Sequence, residues 1–173
     1  GKSVPQFGAP AGQDRRDSEV IADTTRFLIL TDLKADEGLK LAAYDDATGM
    51  PVPVGGVCQG ILTIGYGHTG PDVVPGQVIT QAEAEMLLAN DETQAELGVL
   101  AHLPWVGNLA PARQCVVIEM AFNMGIDGLL GFRNMLDSIN EARWEDAGAD
   151  LLDSVAARQE PARAKRWAVK LLN

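Results

Sequence analysis

Three carboxylates near the start of the chain have the spacing of an acid/base pair. Glu37 stands in the segment KADEGLKLAAYDD, directly before a glycine, and Asp45 and Asp46 follow eight and nine residues later. A predicted helix ends at Gly38, so Glu37 falls in its last turn, beside unpaired carbonyls and the negative end of the helix dipole. Both effects disfavour the ionised form and raise the pKa of the carboxyl group. Glu37 and one of the aspartates are therefore candidate halves of an acid/base pair.

A simpler interpretation accounts for the same residues. A solvated glutamate at a frayed helix end explains Glu37, and it is favoured when this stretch is considered alone. Asp45 and Asp46 begin a turn before ATGMP, where aspartate is favoured for purely local hydrogen bonding. Against this, the last turn of a helix normally takes Lys rather than Glu, and such violations of local rules are often functional. The choice depends on the rest of the sequence.

The elements that must position these acids are mostly helical. The segment TTRFLILTDLKADEG has apolar residues near helical spacing, and Gly38 follows as a stop signal. Between about residues 44 and 79, glycine and proline are dense, and ILTIGYGH alternates Leu62, Ile64 and Tyr66 with small or polar residues. This pattern predicts a strand in a small, glycine-rich sheet.

A long helix is predicted after the sheet. TQAE is a capping box, in which Thr80 caps the helix and Glu83 reaches back. If unbroken from Thr80 to Leu103, this helix would be ~36 Å long, enough to join two lobes. Pro111 suits the first position of the next helix, PARQCVVIEMAFNMG. Further helices are predicted at about 132–140, 143–156 and 161–172.

Composition and charge exclude several classes of protein. The chain has 173 residues, 46% hydrophobic and 22% charged, as is ordinary for a globular domain. A net charge of −10 argues against a nucleic-acid-binding domain, which normally has a basic face. No apolar run reaches the ~18 residues of a membrane span, and no signal peptide is recognised. Cys58 and Cys115 have neither metal nor redox spacing, and a single disulfide between them stays open.

The first 18 residues differ in composition from the rest of the chain. Residues 1–18, GKSVPQFGAPAGQDRRDS, contain Pro, Gly, Gln and charge with almost no apolar periodicity. They are predicted to be a flexible tail or linker. The first residue is Gly rather than Met, which indicates a processed, excised or tagged chain.

Several motifs together resemble the phage-type lysozymes, glycoside hydrolase family 24, which include endolysins and tail-associated muramidases. That family has a Glu-Gly pair, then an aromatic residue and an aspartate, and then Thr-Ile-Gly-x-Gly-His. Here Tyr44 and Asp46 lie seven and nine residues after Glu37, and LTIGYGH supplies the second motif. The segments ITQAEAE, EMAFNMG, GFRNML, RWEDA and PARAKR continue the resemblance, in order, from about Thr25 to Lys170.

The resemblance implies a fold and a reaction. The expected fold is mainly helical α+β in a lysozyme domain spanning residues 19–173. A small glycine-rich β-sheet lobe would occupy about residues 40–80, and a helical lobe about 100–173 plus the N-terminal helix, with a long helix joining them. The implied reaction is hydrolysis of the β-1,4 bond between N-acetylmuramic acid and N-acetylglucosamine, expected to invert configuration. No metal or organic cofactor is implied.

The implied partner is peptidoglycan. Its glycan strands are the expected substrate, with no role for nucleic acid or a membrane span. The expected place of action is the bacterial cell wall, either from the periplasm of a phage-infected host or on a virion. As an isolated domain the chain is expected to be a monomer, or it is part of a larger phage protein.

The resemblance also assigns roles to four residues that could carry the reaction. Glu37 matches the general acid, which protonates the glycosidic oxygen, and Asp46 matches the carboxylate that activates or orients the attacking water. Thr63 matches the threonine that helps to hold that water. Arg163, in PARAKR, matches an arginine that pairs with the catalytic glutamate. An inverting reaction needs ~6.5–9.5 Å between the two carboxyl groups.

Other matched positions have a supporting role. His68 and Asp91 match a pair that links the small lobe to the long helix, for which a purely structural role is preferred. Phe122 and Asn123 fall where the family lines the cleft floor, although core packing explains Phe122 equally well. Tyr44 fills the aromatic position of the first motif.

The chain departs from the family in three places. The segment ATGMPVPVGGVCQGIL, between Asp46 and Thr63, is longer than in compact members. Residues 50–60 are predicted to be a mobile rim of the cleft that modulates access without supplying catalytic groups, and Thr48 is a minor rival for the water-holding role. Asp150 and Val155 stand where some members carry polar or basic cleft residues. The pI of about 4.5 is unlike the basic balance of many endolysins.

An alternative belongs to another class of protein. A lysozyme-fold module of a phage tail could bind peptidoglycan without cutting it. The joint presence of Glu37, Asp46, Thr63 and Arg163 favours the enzyme, because a binding module does not need that set. Whether the domain comes from a free endolysin, a tail lysozyme or a toxin stays open.

Overall fold

The fold is described by a computed structural model that covers residues 21–173, so the tail predicted at residues 1–18 lies outside the described residues. Within this range the helices are α1 Asp23–Glu37, α2 Gln81–His102, α3 Pro111–Leu130, α4 Arg133–Asn140, α5 Trp144–Leu152, α6 Val155–Gln159 and α7 Pro161–Leu172. A 3₁₀ helix at Pro104–Asn108 precedes α3. The strands β1 Lys40–Asp45, β2 Leu62–Gly65 and β3 His68–Thr69 form an antiparallel sheet in the order β1-β2-β3. The predicted class, a mainly helical α+β fold with two lobes, is confirmed.

Local signals place the ends of the two helices that matter most for the site. Gly38 follows Glu37 with a φ of 66°, a left-handed conformation that favours glycine, and α1 stops there. At the start of α2, Thr80 Oγ1 accepts from the Glu83 N–H, and the Glu83 side chain accepts from the Thr80 N–H. The predicted capping box is therefore present, and it begins a helix of 22 residues.

Two predicted elements end differently in the structure. Tyr66 was expected in the strand, but β2 stops at Gly65 because Gly65 and Gly67 both have positive φ, 68° and 81°, which turns the chain. The single helix predicted at about 143–156 is divided into α5 and α6. The break comes at Ser154, whose hydroxyl accepts from the Ala157 N–H at 3.1 Å and caps the second helix.

Helix α2 packs against both lobes. On the helical side, Ala84 and Leu88 join a large buried core whose centre is α3. On the sheet side, Leu87 packs against a smaller cluster formed by Ala43, Ile64 and Val73. The helix therefore connects two separate apolar cores, and the cleft lies along it.

Helix α3 is the most apolar element of the described chain. Within residues 21–173, no single helix is long and apolar enough to cross a membrane. Helices α3 and α4 meet that test only as a pair, and they are bent by 104° relative to each other. Much of α3 is core: Val116, Val117, Ile118 and Met120 are fully buried.

Candidate active site

Glu37 and Arg163 meet where α1 ends and α7 begins. Arg163 Nη2 donates to Glu37 Oε1 at 3.2 Å, and the Glu37 side chain is 22% exposed. The other oxygen, Oε2, faces Gly67, where an added Cβ would lie 3.3 Å away. Because Gly67 has no side chain, the backbone after β2 can approach the Glu37 carboxyl group closely. The motifs EG and TIGYGH are therefore in contact.

The pKa of the Glu37 carboxyl group is raised. Burial is the largest cause, and the nearby charge of Asp36 acts in the same direction. Arg163 opposes both through its charge and its hydrogen bond, but does not outweigh them. The raised pKa agrees in direction with the prediction made from the position of Glu37 at a helix end. Burial, however, is the main cause of the shift. A glutamate with a raised pKa keeps its proton to higher pH, as a general acid must.

Asp36 holds the arginine that contacts Glu37. Its Oδ2 lies 3.3 Å from Arg163 Nε, and its Oδ1 accepts a hydrogen bond from Arg166. The Asp36 side chain is largely buried, so the two guanidinium groups of α7 are fixed against the last turn of α1. Sequence reasoning did not assign Asp36 a role, and its place directly before Glu37 is the signal that could have found it.

The two adjacent aspartates have opposite environments. The Asp45 carboxylate is buried and accepts three backbone hydrogen bonds, from Gln59 N–H at 2.7 Å, Ala47 N–H at 2.9 Å and Gly60 N–H at 3.0 Å. These bonds, that from Gln59 first, lower the pKa of Asp45. Asp46 is exposed, and its Oδ1 accepts one bond, from Ile61 N–H at 2.6 Å. Of the two, Asp46 is the one with an oxygen open to substrate.

Thr63 and Asp46 are tied to the same peptide group. Asp46 N–H donates to Ile61 O at 3.1 Å, and the Thr63 hydroxyl donates to that oxygen at 3.0 Å. Thr63 is buried, and its hydroxyl proton is engaged by Ile61 O. In a hydrogen bond between this hydroxyl and a water molecule, the Thr63 oxygen would therefore be the acceptor. The rival Thr48 accepts from Met50 N–H at 3.3 Å within the turn after β1.

Tyr44 lies under the influence of both candidate acids. Burial is the largest cause of its raised pKa, and the charges of Glu37 and Asp46 add to it. Its ring also lies 3.9 Å from Lys40 Nζ, measured to the ring centre, in a cation–π contact. Tyr44 is half-buried on β1, where its backbone pairs with Thr63 of β2.

The histidine of the second motif is held by two carboxylates. His68 Nδ1 lies 2.8 Å from Asp91 on α2, as the predicted pair requires, and His68 Nε2 lies 3.0 Å from Asp72. Burial lowers the pKa of His68, but the bonds to Asp91 and Asp72 outweigh it, and the net pKa is raised. The contact with Asp72 was not predicted, although its spacing of four residues from His68 is visible in the sequence.

A cleft of about 340 Å³ runs along α2 between the lobes. Its lining residues include Gly67, Thr69, Asp91, Phe122 and Ile126. Gly67, which lines the cleft, also adjoins Glu37. Apart from Asn123, six of the predicted site residues are not among the residues that line the cleft: Glu37, Tyr44, Asp46, Thr63, His68 and Arg163. Phe122 is placed in the cleft wall, whereas Asn123 is exposed and is not among the lining residues.

Both cysteines are free thiols. Cys115 is buried in the core, and Cys58 lies half-buried at the end of the rim loop, so the two do not form a disulfide. Across residues 21–173, His, Cys, Asp and Glu side chains do not form any group of three or more that could hold a metal ion.

The family model for phage lysozyme matches residues 34–164, a range that begins before Glu37 and ends after Arg163. The chain belongs to the phage lysozyme family. Membership assigns it to the lysozyme-type hydrolases of peptidoglycan. All of the predicted site residues fall inside the matched range: Glu37, Tyr44, Asp46, Thr63, His68, Phe122, Asn123 and Arg163.

Relatives of this lysozyme occur in proteins of different size. It is 30% identical over 160 residues to a probable T4-type lysozyme of Dictyostelium discoideum, covering 78% of this chain and 87% of that protein. It is 30% identical to an endolysin of Bacillus phage B103, covering 76% of this chain but 49% of the endolysin. It is also 30% identical to the pre-baseplate central spike protein Gp5 of Enterobacteria phage T4, covering 92% of this chain but 30% of Gp5.

Proposed function

We propose that this lysozyme hydrolyses the β-1,4 bond between N-acetylmuramic acid and N-acetylglucosamine by acid/base catalysis with inversion. The observation that carries the proposal is the contact of Glu37 with Arg163, beside the Gly67 that lines the cleft, with a glutamate whose pKa is raised. Glu37 is the general acid. Its Oε1 is bound by Arg163, so Oε2, on the side of Gly67, carries the proton to the leaving oxygen.

Asp46 supplies the second carboxylate. Its Oδ1 is engaged by Ile61 N–H, and within residues 21–173 its Oδ2 accepts no hydrogen bond. That oxygen orients the attacking water and receives its proton, while the Thr63 oxygen accepts the second hydrogen of the same water. Water attacks the anomeric carbon as the glycosidic bond breaks, and Glu37 protonates the departing sugar.

The cleft binds the glycan strand. Phe122 offers an apolar face to a sugar ring, and Asp91 and Gln94 add polar groups to the wall. With a net charge of −10, attraction to the anionic envelope cannot come from the whole chain, so recognition rests on these local contacts. The expected place of action is the bacterial cell wall, reached during infection or from a virion.

A second candidate is a binding module that does not cut. It is favoured by the match of 92% of this chain to Gp5, which is named as a central spike protein. In that case the cleft would hold the glycan without turnover.

The test is the release of reducing ends from purified peptidoglycan by the parent chain and by Glu37→Gln, Asp46→Asn and Glu141→Gln. The last is a matched control, because the Glu141 side chain is exposed and its ion pair is with Arg143. We expect release by the parent and the control, and loss in the other two. Muramitol ends after borohydride reduction, identified by mass spectrometry, would support cleavage after N-acetylmuramic acid, and a first-formed α-anomer in NMR spectra would support inversion. Binding without release at any pH would contradict the enzyme and favour the binding module.

A further inference from the structure

We propose that Asp45 is a positioning residue for Asp46, which rests on the proposed function. Asp45 closes the long rim loop, residues 47–60, onto the end of β1. In doing so it fixes the Gln59–Ile61 backbone that holds the Asp46 carboxylate. Asp45 takes no part in the acid/base pair.

The bonds of Asp45 join the two ends of the loop. Ala47, at the start of the loop, and Gly60, at its end, both donate to Oδ1, at 2.9 Å and 3.0 Å. Gln59 donates to Oδ2 at 2.7 Å. Both oxygens are therefore acceptors, which an ionised carboxylate satisfies and an amide does not. Hydrogen bonds of this kind, to an ionised acceptor, are roughly twice as strong as neutral ones.

The end of the loop is in direct contact with Asp46. The Ile61 N–H donates to Asp46 Oδ1 at 2.6 Å, one residue after the Gly60 that Asp45 binds. A Cβ added to Gly60 would lie 2.1 Å from Asp46 Oδ1 and 2.8 Å from Ala47 Cβ. Any shift of the Gln59–Ile61 backbone is thus transmitted to the Asp46 carboxylate, and through Ile61 O to the Thr63 hydroxyl.

The geometry excludes Asp45 from the role of the base itself. Its side chain is 4% exposed, and three N–H groups occupy its two oxygens. The neighbouring thiol of Cys58 also contacts it, and Cys58 Sγ lies 3.4 Å from Gly60 O. A buried carboxylate saturated in this way has no oxygen with which to orient a water for attack.

The experiment is a double-mutant cycle between the two aspartates. Asp45→Asn, Asp46→Asn and the double variant are compared with the parent for kcat, KM and melting temperature. We expect Asp45→Asn to lower kcat by about tenfold to a hundredfold, with KM changed much less, because a small displacement of a catalytic group acts on the chemical step. In the Asp46→Asn background, the same change should leave the residual rate unaltered. Asp137→Asn, an exposed aspartate on α4, is the control.

Gly60→Ala is a second variant, which is measured in the same way and replaces Asp45→Asn if that variant does not fold. It keeps the Asp45 carboxylate but places a methyl group against Asp46 Oδ1. We expect the same fall in kcat with little change in KM. For Asp45→Asn, a fall in kcat that disappears in the Asp46→Asn background supports the inference. For Gly60→Ala, the same result supports the step from the Gly60 backbone to Asp46, since the methyl group meets Asp46 Oδ1 directly. An unchanged kcat in a folded Gly60→Ala overturns that step and the inference with it.

Four outcomes with the parent and the aspartate variants overturn the inference. An unchanged kcat in a turnover-competent chain, with only the melting temperature lowered, makes Asp45 purely structural. Equal losses of rate in the presence and absence of Asp46 show that Asp45 acts independently. Complete loss in Asp45→Asn with retained activity in Asp46→Asn makes Asp45 the catalytic carboxylate. Absence of turnover in the parent chain contradicts the proposed function, and the inference falls with it.

Discussion

Glu37 and Arg163, which are 126 residues apart in the sequence, are joined by a hydrogen bond of 3.2 Å. The same arginine lies 3.3 Å from Asp36, so one guanidinium group serves both acids at the end of α1. Burial and the charge of Asp36 raise the pKa of Glu37, and Arg163 lowers it. The protonation of the candidate acid therefore depends on two neighbours that act in opposite directions.

Glu37→Gln should keep the fold and abolish hydrolysis. Glutamine is nearly isosteric but has no proton to give to the leaving oxygen, and loss of general acid catalysis is typically worth ~10²–10⁴ in rate. The raised pKa means that the ionised form costs stability at neutral pH, which the substitution removes, whereas loss of the bond from Arg163 acts the other way. We expect a change in unfolding free energy near zero or slightly favourable.

The check is thermal melting and peptidoglycan turnover measured on one sample of Glu37→Gln. Glu141→Gln serves as the control, since its exposed side chain is remote from the cleft. A folded Glu37→Gln variant with activity close to that of the parent would remove Glu37 from the mechanism.

Substitutions of Arg163 and Asp36 should move the pH profile in opposite directions. A general acid must be protonated, so kcat/KM falls as the pH rises through the pKa of Glu37. Arg163→Gln removes a charge that lowers this pKa, and the alkaline limb should move to higher pH. Asp36→Asn removes a charge that raises it, and the limb should move to lower pH.

Arg163→Lys is the matched control for this pair because it keeps the positive charge. Its alkaline limb should lie closer to that of the parent than the limb of Arg163→Gln. The profiles are measured as initial rates on soluble peptidoglycan fragments at constant ionic strength. A shift in the same direction for Arg163→Gln and Asp36→Asn would mean that at least one of the two charges does not act on the catalytic acid as stated.

Asp91→Asn should lower the pKa of His68. The bond between His68 Nδ1 and Asp91 favours the charged imidazole, and its loss leaves Asp72 as the remaining acid partner. Because the folded-state pKa is raised, the pairing stabilises the fold fully below the unfolded value of ~6.5 and loses this effect as pH rises through the folded value. We expect Asp91→Asn to lower the free energy of unfolding by about 1 kcal/mol at pH values below the unfolded pKa of His68. The loss should be smaller above the folded pKa.

NMR titration of the imidazole protons checks this shift. The chain has two histidines, so His102 provides a second resonance for comparison in the same sample. An unchanged His68 titration in Asp91→Asn would show that Asp72 alone sets the charge of the ring.

Signals that are local in sequence predicted much of this structure. The stop at Gly38, the capping box of Thr80 and Glu83, and the strand in ILTIGYGH all depend on neighbours within a few residues. The order of the motifs predicted the fold class, because it follows that of a known family, whose model matches residues 34–164. The choice of Asp46 over Asp45 came from spacing alone and stays a prediction, which the burial of Asp45 supports.

Contacts between distant residues were not predictable in this way. Glu92, Glu96 and Glu119 resemble solvated charges of helices in the sequence, yet all three are buried. Glu119 accepts from Trp167 Nε1 at 2.7 Å and from Lys170 at 2.9 Å, partners about fifty residues away. Helical spacing shows which residues share a face, but the face that is covered depends on packing against other helices.

Glu92 and Glu96 lie one turn apart on α2 and have different partners. Both oxygens of Glu96 accept from Arg26 Nη2, at 3.0 Å and 2.8 Å, and Oε1 also accepts from Ile21 N–H at 3.3 Å. Glu92 is fully buried, and within residues 21–173 neither of its oxygens has a hydrogen-bond partner. Arg26 Nε lies 3.6 Å from it. Burial, followed by the charge of Glu96, raises the pKa of Glu92 to about 7.

Glu92→Met should therefore stabilise the chain, and more so at pH 8 than at pH 5. The folded-state pKa of Glu92 is raised from the unfolded value of ~4.3, so its favourable contribution is present below that value and is lost as pH rises through about 7. At pH 8 the parent holds a buried carboxylate that has no hydrogen bond within residues 21–173 and whose nearby cation, Arg26, is hydrogen-bonded to Glu96 instead. Its removal should gain about 1–3 kcal/mol. Glu96→Met should instead destabilise the chain at both pH values, because Arg26 and the Ile21 N–H lose their acceptor. Urea unfolding of the parent and both variants at the two pH values measures these differences. A loss of stability in Glu92→Met at pH 8 would show that Arg26 stabilises an ionised Glu92 in the folded chain. An equal gain at both pH values would show that the ionisation of Glu92 does not determine the effect.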